Sequence, residues 1–145
     1  MRTQLIAKIA GAVLLQLLLA GFVFIQQAKA QKVAAPITDT TILKVLVNTP
    51  GIINKDVQME VVTFSPGSSS SAHRHPCPTF GYVLEGEIES VFEGVHHFYK
   101  AGDSFYEKPY GLHSVTRNND LSKPAKLLVL YLSDPSKPTS IHLKK

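Results

Sequence analysis

The chain has one cysteine, Cys77, in 145 residues. A lone thiol cannot close an internal disulfide, so the fold must rest on packed side chains. No basic stripe with interleaved aromatics occurs, which removes the usual footprint of a nucleic-acid binder. No acidic residue precedes Asp39. Arg2, Lys8 and Lys29 supply three of the fifteen cations and all eleven carboxylates come later, so the chain from Gln31 onward carries twelve positive against eleven negative charges, a net +1. There is no long helical periodicity and no internal repeat, and the one low-complexity stretch is the four serines at 68–71.

What is present begins with a leader pattern. Arg2 and Lys8 precede an almost uncharged run at 9–25, and Ala28-Lys29-Ala30 supplies the small residues a signal peptidase needs. This predicts a signal peptide over 1–30, a mature start at Gln31, a periplasmic or secreted location, and no stable membrane anchor after cleavage. The alternative is an uncleaved anchor, because the apolar run falls just short of a comfortable span. No cysteine follows the run to accept a lipid. Residues 31–41 read as a polar lead-in.

From there to residue 133 the pattern is short apolar runs at 42–47, 58–65, 80–84, 87–92, 95–99, 104–107, 113–117 and 126–132. Several alternate with period two, and Pro-Gly, Glu-Gly, Gly-Asp and Asn-Asn pairs separate them. The expectation is a single all-β domain over 42–133, a small antiparallel barrel or sandwich, followed by a tail at 134–145. About a hundred residues are enough to bury one core.

Within that pattern His73 and His75 stand at i, i+2, which on extended chain projects both imidazoles from one face. His113 is the candidate third donor, since Pro109-Tyr110-Gly111 just before it can turn the chain back toward the first pair. Three neutral imidazoles suit iron, zinc, copper or nickel and leave positions open for water or substrate. On spacing alone, ordinary hydrogen-bonded histidines fit as well.

Two longer frames surround these histidines. Gly67, five residues, His73-Arg74-His75, three residues, Thr79, six residues and Gly86 form the first. The second runs from Gly102 through Pro109, Gly111 and His113 to Asn118. Together they resemble the two motifs of the cupin superfamily, G-x5-H-x-H-x3,4-E-x6-G and G-x5-P-x-G-x2-H-x3-N, in a small single-domain, type-2 form. Pro109, Gly111 and Asn118 each come one residue late, and Thr79 stands where the family has glutamate. The resemblance implies a jelly-roll barrel with His73, His75 and His113 holding a divalent ion, manganese included, and Thr79 at the fourth-ligand position. It further implies a metal-dependent dioxygenase or related oxidoreductase acting on a small molecule, with an anionic one as the candidate; the alternatives are a non-catalytic ligand-binding or sensing module and a purely structural barrel.

Other residues invite a role. Tyr82, Phe105 and Tyr106 are candidates to line the cavity, and Arg117, at even spacing from His113, to bind a substrate carboxylate. Glu85, Glu87 and Glu89 read as facing water, and His96 and His97 as a hairpin pair of which at most one enters a site. His142 reads as a plain tail residue. Cys77, between Pro76 and Pro78, is expected near the pocket rim as a free thiol, with a redox handle or soft ligand as the alternative. An edge strand at 42–47 is a candidate homodimer seam.

Overall fold

The computed structural model describes residues 36–143, which contain ten β-strands and no helix. In chain order these are β1 (Thr38–Thr49), β2 (Ile52–Phe64), β3 (His73–Arg74), β4 (Thr79–Glu85), β5 (Glu87–Phe92), β6 (Val95–Lys100), β7 (Ser104–Glu107), β8 (His113–Arg117), β9 (Ala125–Ser133) and β10 (Ile141–His142). They form two five-stranded antiparallel sheets, ordered β1-β2-β9-β4-β7 and β10-β3-β8-β5-β6. The all-β barrel expected from the alternating runs is what forms. The leader at 1–30 and the Gln31 boundary lie outside the described residues.

The alternation does its work most plainly in β9, where Ala125, Leu127, Val129, Tyr131 and Ser133 are buried and the residues between them are not. The first four of these meet Phe64, Val83, Ile88 and Cys77 to make the core. Burying a valine, leucine or isoleucine in such a cluster contributes about 1.5–3 kcal/mol each. Cys77 is 4% exposed and belongs to this core rather than to the pocket rim. Burial pushes its thiol up from the ordinary value, which leaves it a poor nucleophile.

Two boundaries differ from those read off the sequence. β1 starts at Thr38, inside the supposed lead-in, because the β-branched Thr38, Thr40 and Thr41 pair in register with Thr63, Val61 and Glu60. The tail also returns to the barrel. Its residues Ile141 and His142 pair with Arg74 and His73, so β10 closes one edge of the second sheet.

Two glycines answer specific demands. Gly86, in the turn between β4 and β5, has φ +75°, and a Cβ there would sit 2.9 Å from the Ala125 Cβ. Gly81 lies opposite Phe105 on β7, and an added Cβ would come 2.1 Å from the Phe105 ring. The missing side chain lets that ring lie over the sheet and face the interior. Gly81→Ala should therefore force Phe105 out of place and cost about 1–3 kcal/mol of unfolding free energy, as overpacked sites do. Denaturant titration checks this, and an unchanged midpoint would mean the ring shifts freely.

Candidate metal centre

Strand pairing brings the histidines together. His142, His73 and His113 are successive partners across β10, β3 and β8, one rung of the second sheet. His75 follows His73 by two residues and therefore projects to the same side. The turn at Pro109-Tyr110-Gly111 folds back as its composition predicts: the Tyr110 amide donates to the His75 carbonyl at 2.7 Å, and the Arg74 guanidinium donates to the Tyr110 carbonyl. The ring centroids of His73 lie 4.9 Å from His75 and 4.8 Å from His113. One ligand nitrogen from each of His73, His75 and His113 falls within 4.8 Å of the others.

Each ring has one nitrogen engaged elsewhere. His73 Nδ1 pairs with the Ser71 carbonyl at 2.8 Å and His75 Nδ1 with the Thr139 carbonyl at 2.7 Å. A carbonyl only accepts, so both Nδ1 atoms carry the proton and both Nε2 atoms keep a free lone pair. His113 is turned the other way, with Nε2 held by the Ser90 and Thr116 hydroxyls at 2.9 and 2.7 Å and Nδ1 unpartnered. Burial drives the imidazoles neutral, lowering His75 to about 4 and His113 to about 3, with His73 lowered by the same cause. Neutral rings with one anchored nitrogen are in the state metal ligation requires.

Facing them is a residue the sequence reading passed over. Glu107, the last residue of β7, is 3% exposed, with Oε1 3.3 Å from His113 Nδ1 and Oε2 3.8 Å from His75 Nε2. Because the rings are neutral near pH 7, these contacts are not ion pairs. Burial raises the Glu107 carboxyl to about 7. Across the ladder Glu107 is the direct partner of Thr79, which is itself fully buried and donates its hydroxyl to the Cys77 carbonyl at 3.2 Å. The alternation of β7 was the available signal, since it puts Phe105 and Glu107 on one face and Ser104 and Tyr106 on the other.

That parity also settles the other candidates. Phe105 lines the cavity, as anticipated, whereas Tyr82 and Tyr106 point outward and are 44% and 56% exposed. Arg117 does not reach the cavity. A register shift between His113 and Val115 inserts one residue into β8, so Thr116 rather than Arg117 shares the face of His113. Arg117 instead makes a two-pronged pair with Glu89 at 2.7 and 2.8 Å, joined by Asn119 and His96. Arg117 first, then Asn119, holds the Glu89 carboxyl well below the carboxylate range. The same inserted residue accounts for Asn118 falling one position late. Its amide then ties the Phe64 and Lys123 carbonyls together. Glu85 and Glu87 are exposed, and His97 stacks on Tyr99. His142 departs from expectation, for with Thr139 and Ser140 it lines the cavity wall.

The cavity these residues enclose holds about 260 Å³. On the first sheet its wall is layered. The rung nearest the histidines carries Glu107, Thr79 and Tyr131, and the next carries Phe105, Gly81, Val129 and Glu60. Asp39, beside Val62, forms the far side. No lysine or arginine lines it among the described residues. The Tyr131 phenol is held above its ordinary value by burial first and then by Glu60, Glu107, Cys77 and Asp39.

Would a divalent ion fit these donors? A buried carboxylate oxygen and a buried imidazole nitrogen left unpaired cost about 1–3 kcal/mol each. Glu107 Oε1 and His113 Nδ1 are two such atoms, 3.3 Å apart, and His113 is one of the three imidazoles whose ligand nitrogens lie within 4.8 Å of one another. A cation there satisfies all of them, so the residues fit.

A cupin-domain family model matches residues 60–131. No curated protein sequence matches the chain. Among solved structures, the DMSP lyase DddQ of Ruegeria pomeroyi is similar at TM-score 0.58 and 22% identity, covering 73% of this chain and 51% of its own. An oxalate oxidase bound to the substrate analogue glycolate gives TM-score 0.58 and 23% identity, with 81% of this chain and 61% of that one covered. A RmlC-like cupin from Shewanella frigidimarina gives 0.55 and 19%, with 77% and 88% covered. This chain thus spans about half of the lyase and under two thirds of the oxidase, and at these identities the likeness is one of fold. From its matched motifs, its two antiparallel sheets and these neighbours, the chain belongs to the cupin superfamily.

Proposed function

We propose that the protein is a metal-dependent cupin enzyme of the oxidoreductase class, dioxygenases included, that holds one divalent transition metal through His73, His75 and His113. The observation that carries this reading is the convergence of three buried, neutral imidazoles, each with one nitrogen left without a hydrogen-bond partner, at the wall of a cavity. A metal there would act as a Lewis acid on a small molecule, or on dioxygen or water, with coordination positions left open. The chain's own part is to fix the rings through the Ser71 and Thr139 carbonyls and the Ser90 and Thr116 hydroxyls. Val62, Val129 and Phe105 give the middle of the cavity an apolar wall. Two structurally similar proteins are enzymes named for small substrates, oxalate and DMSP, which agrees with this scale.

The lining also narrows the substrate. With Asp39 and Glu60 on the far side and no cationic side chain among the lining residues, only the metal is available to take an anionic group. We read the substrate as carrying a single such group, the rest of the molecule being neutral or cationic.

We propose export as well, on the basic start, the apolar run at 9–25 and Ala28-Lys29-Ala30. Homodimerisation is proposed from β1, an unpaired sheet edge with Ile42 and Leu46 exposed on one face and Leu43 and Val45 on the other. A second copy laid antiparallel along it would extend the ladder and set these apolar side chains beside their copies as cross-strand pairs.

Purified without chelator, the protein should contain about one divalent ion per chain by elemental analysis. His113→Ala should lose it and His97→Ala should not, since two ligands hold an ion poorly. Metal-free wild type would refute the reading, and metal bound without turnover of any small carboxylate would turn it into a binding module.

Metal-free protein should also show the linkage of its buried groups. His75 and His113 sit far below 6.5 when folded, so their stabilisation is complete above pH 6.5 and is lost as pH falls toward 4. Glu107, raised to about 7, has the opposite sign and offsets part of that loss between pH 7 and 4.5. The melting temperature of chelated protein should therefore fall from pH 6.5, most steeply between 4.5 and 4 where the Glu107 offset has ended, and level off toward pH 3. Glu107→Gln should steepen the fall between pH 6.5 and 4.5, and a flat profile in both proteins would contradict these assignments.

One mass measurement reads export and assembly together. Denatured protein from the extracellular or periplasmic fraction should have the mass of residues 31–145, and native mass should be twice that. Retention of residues 1–30 would indicate an anchor, and a native monomer would remove the β1 seam.

A further inference from the structure

We propose that Glu107 is a fourth ligand of the metal centre, so that the carboxylate absent at Thr79 is supplied from the facing position on the neighbouring strand. This rests on the three-histidine reading above and adds to it a residue on a different strand and in a different part of the sequence.

The argument is geometric. Thr79 and Glu107 are direct partners across β4 and β7, so their side chains leave the sheet side by side on its inner face. Thr79 is a poor ligand where it stands, because a neutral hydroxyl binds a divalent ion weakly unless deprotonated and its proton is held on the Cys77 carbonyl. Glu107 has nothing else to bind. Its Oε1 makes no hydrogen bond and its side chain is 4% exposed. Donor atoms about 2.1 Å from one ion stand about 3.0–3.4 Å apart at right or tetrahedral angles. The 3.3 Å from Glu107 Oε1 to His113 Nδ1 falls in that range, and the 3.8 Å from Oε2 to His75 Nε2 lies just beyond it.

Charge points the same way. Three neutral imidazoles leave a divalent ion's charge unreduced in a buried place, and no other carboxylate stands on the rung that faces them. A bound glutamate halves that charge. It also changes which ions the site prefers, because nitrogen-only sites favour zinc, copper and nickel while a carboxylate oxygen brings manganese within range.

The test titrates manganese(II) and zinc(II) into metal-free, exported protein and its variants, with folding followed by circular dichroism. Glu107→Gln keeps shape and removes the anionic donor. It should weaken manganese by about tenfold or more, the scale on which even groups around a metal ligand act, and zinc by less. Thr79→Glu in the Glu107→Gln background moves the carboxylate one strand across and should restore most of the loss. Thr79→Glu alone should give no gain, since the site already holds its carboxylate. Wild-type affinities unchanged in Glu107→Gln would overturn the assignment and leave a three-histidine site standing. Weakening without rescue would make Glu107 a residue that orders the histidines, and a tenfold gain from Thr79→Glu alone would show that the fourth position is vacant. Wild type that binds neither ion removes the metal centre itself, and this inference with it.

Discussion

The structure turns on how buried imidazole nitrogens are satisfied. A neutral histidine in a core must place its N–H on an acceptor and its lone pair on a donor or a cation. His73 and His75 give their N–H groups to the carbonyls of Ser71 and Thr139, neither of which belongs to a long strand. Those two bonds require the serine loop to pass one side of the site and the tail to return along the other. β10 follows from this, for once Thr139 lies beside His75 the next residues fall against β3 and pair with it. The closing edge of the second sheet is thus tied to the chemistry of the pocket as much as to strand propensity.

The barrel divides its interior between packing and access. Toward the β4–β5 turn, Val83, Ile88 and Ala125 have no exposed surface at all, and the chain is held by dense apolar contact. Toward the histidines the two sheets enclose an open volume, and polar rungs replace apolar ones. Surface left without packing partners forgoes dispersion contacts, so such a cavity destabilises the fold locally. The closed end, the long β1–β2 hairpin and the Asn118 amide that ties three loop segments together offset this.

The bulge in β8 bears on function through parity alone. One extra residue after His113 exchanges the faces of everything beyond it. Thr116 enters the cavity and fixes His113, while Arg117 leaves it and joins Glu89, Asn119 and His96 in a surface network. With Arg117 outside and Asp39 and Glu60 inside, the cavity presents acceptors to a ligand and no cationic side chain among the described residues.

The amino-acid sequence determined by itself whatever depends on neighbours close along the chain. Period-two alternation defined the strands, turn pairs separated them, and His73-Arg74-His75 with the Pro109 turn brought the three histidines together, because side-chain direction on a strand follows from residue parity. What depends on pairing between distant segments was decided only by tertiary structure. That Glu107 faces Thr79 is a matter of β4–β7 register, across 28 residues. That His142 and Thr139 belong to the site depends on the tail closing a sheet edge. That Arg117 turns away depends on a bulge with no glycine to announce it. Burial then turns Glu107 from an ordinary acidic residue into an unpaired carboxyl beside three neutral imidazoles, because desolvation is a property of the enclosure and no residue carries it in its own chemistry.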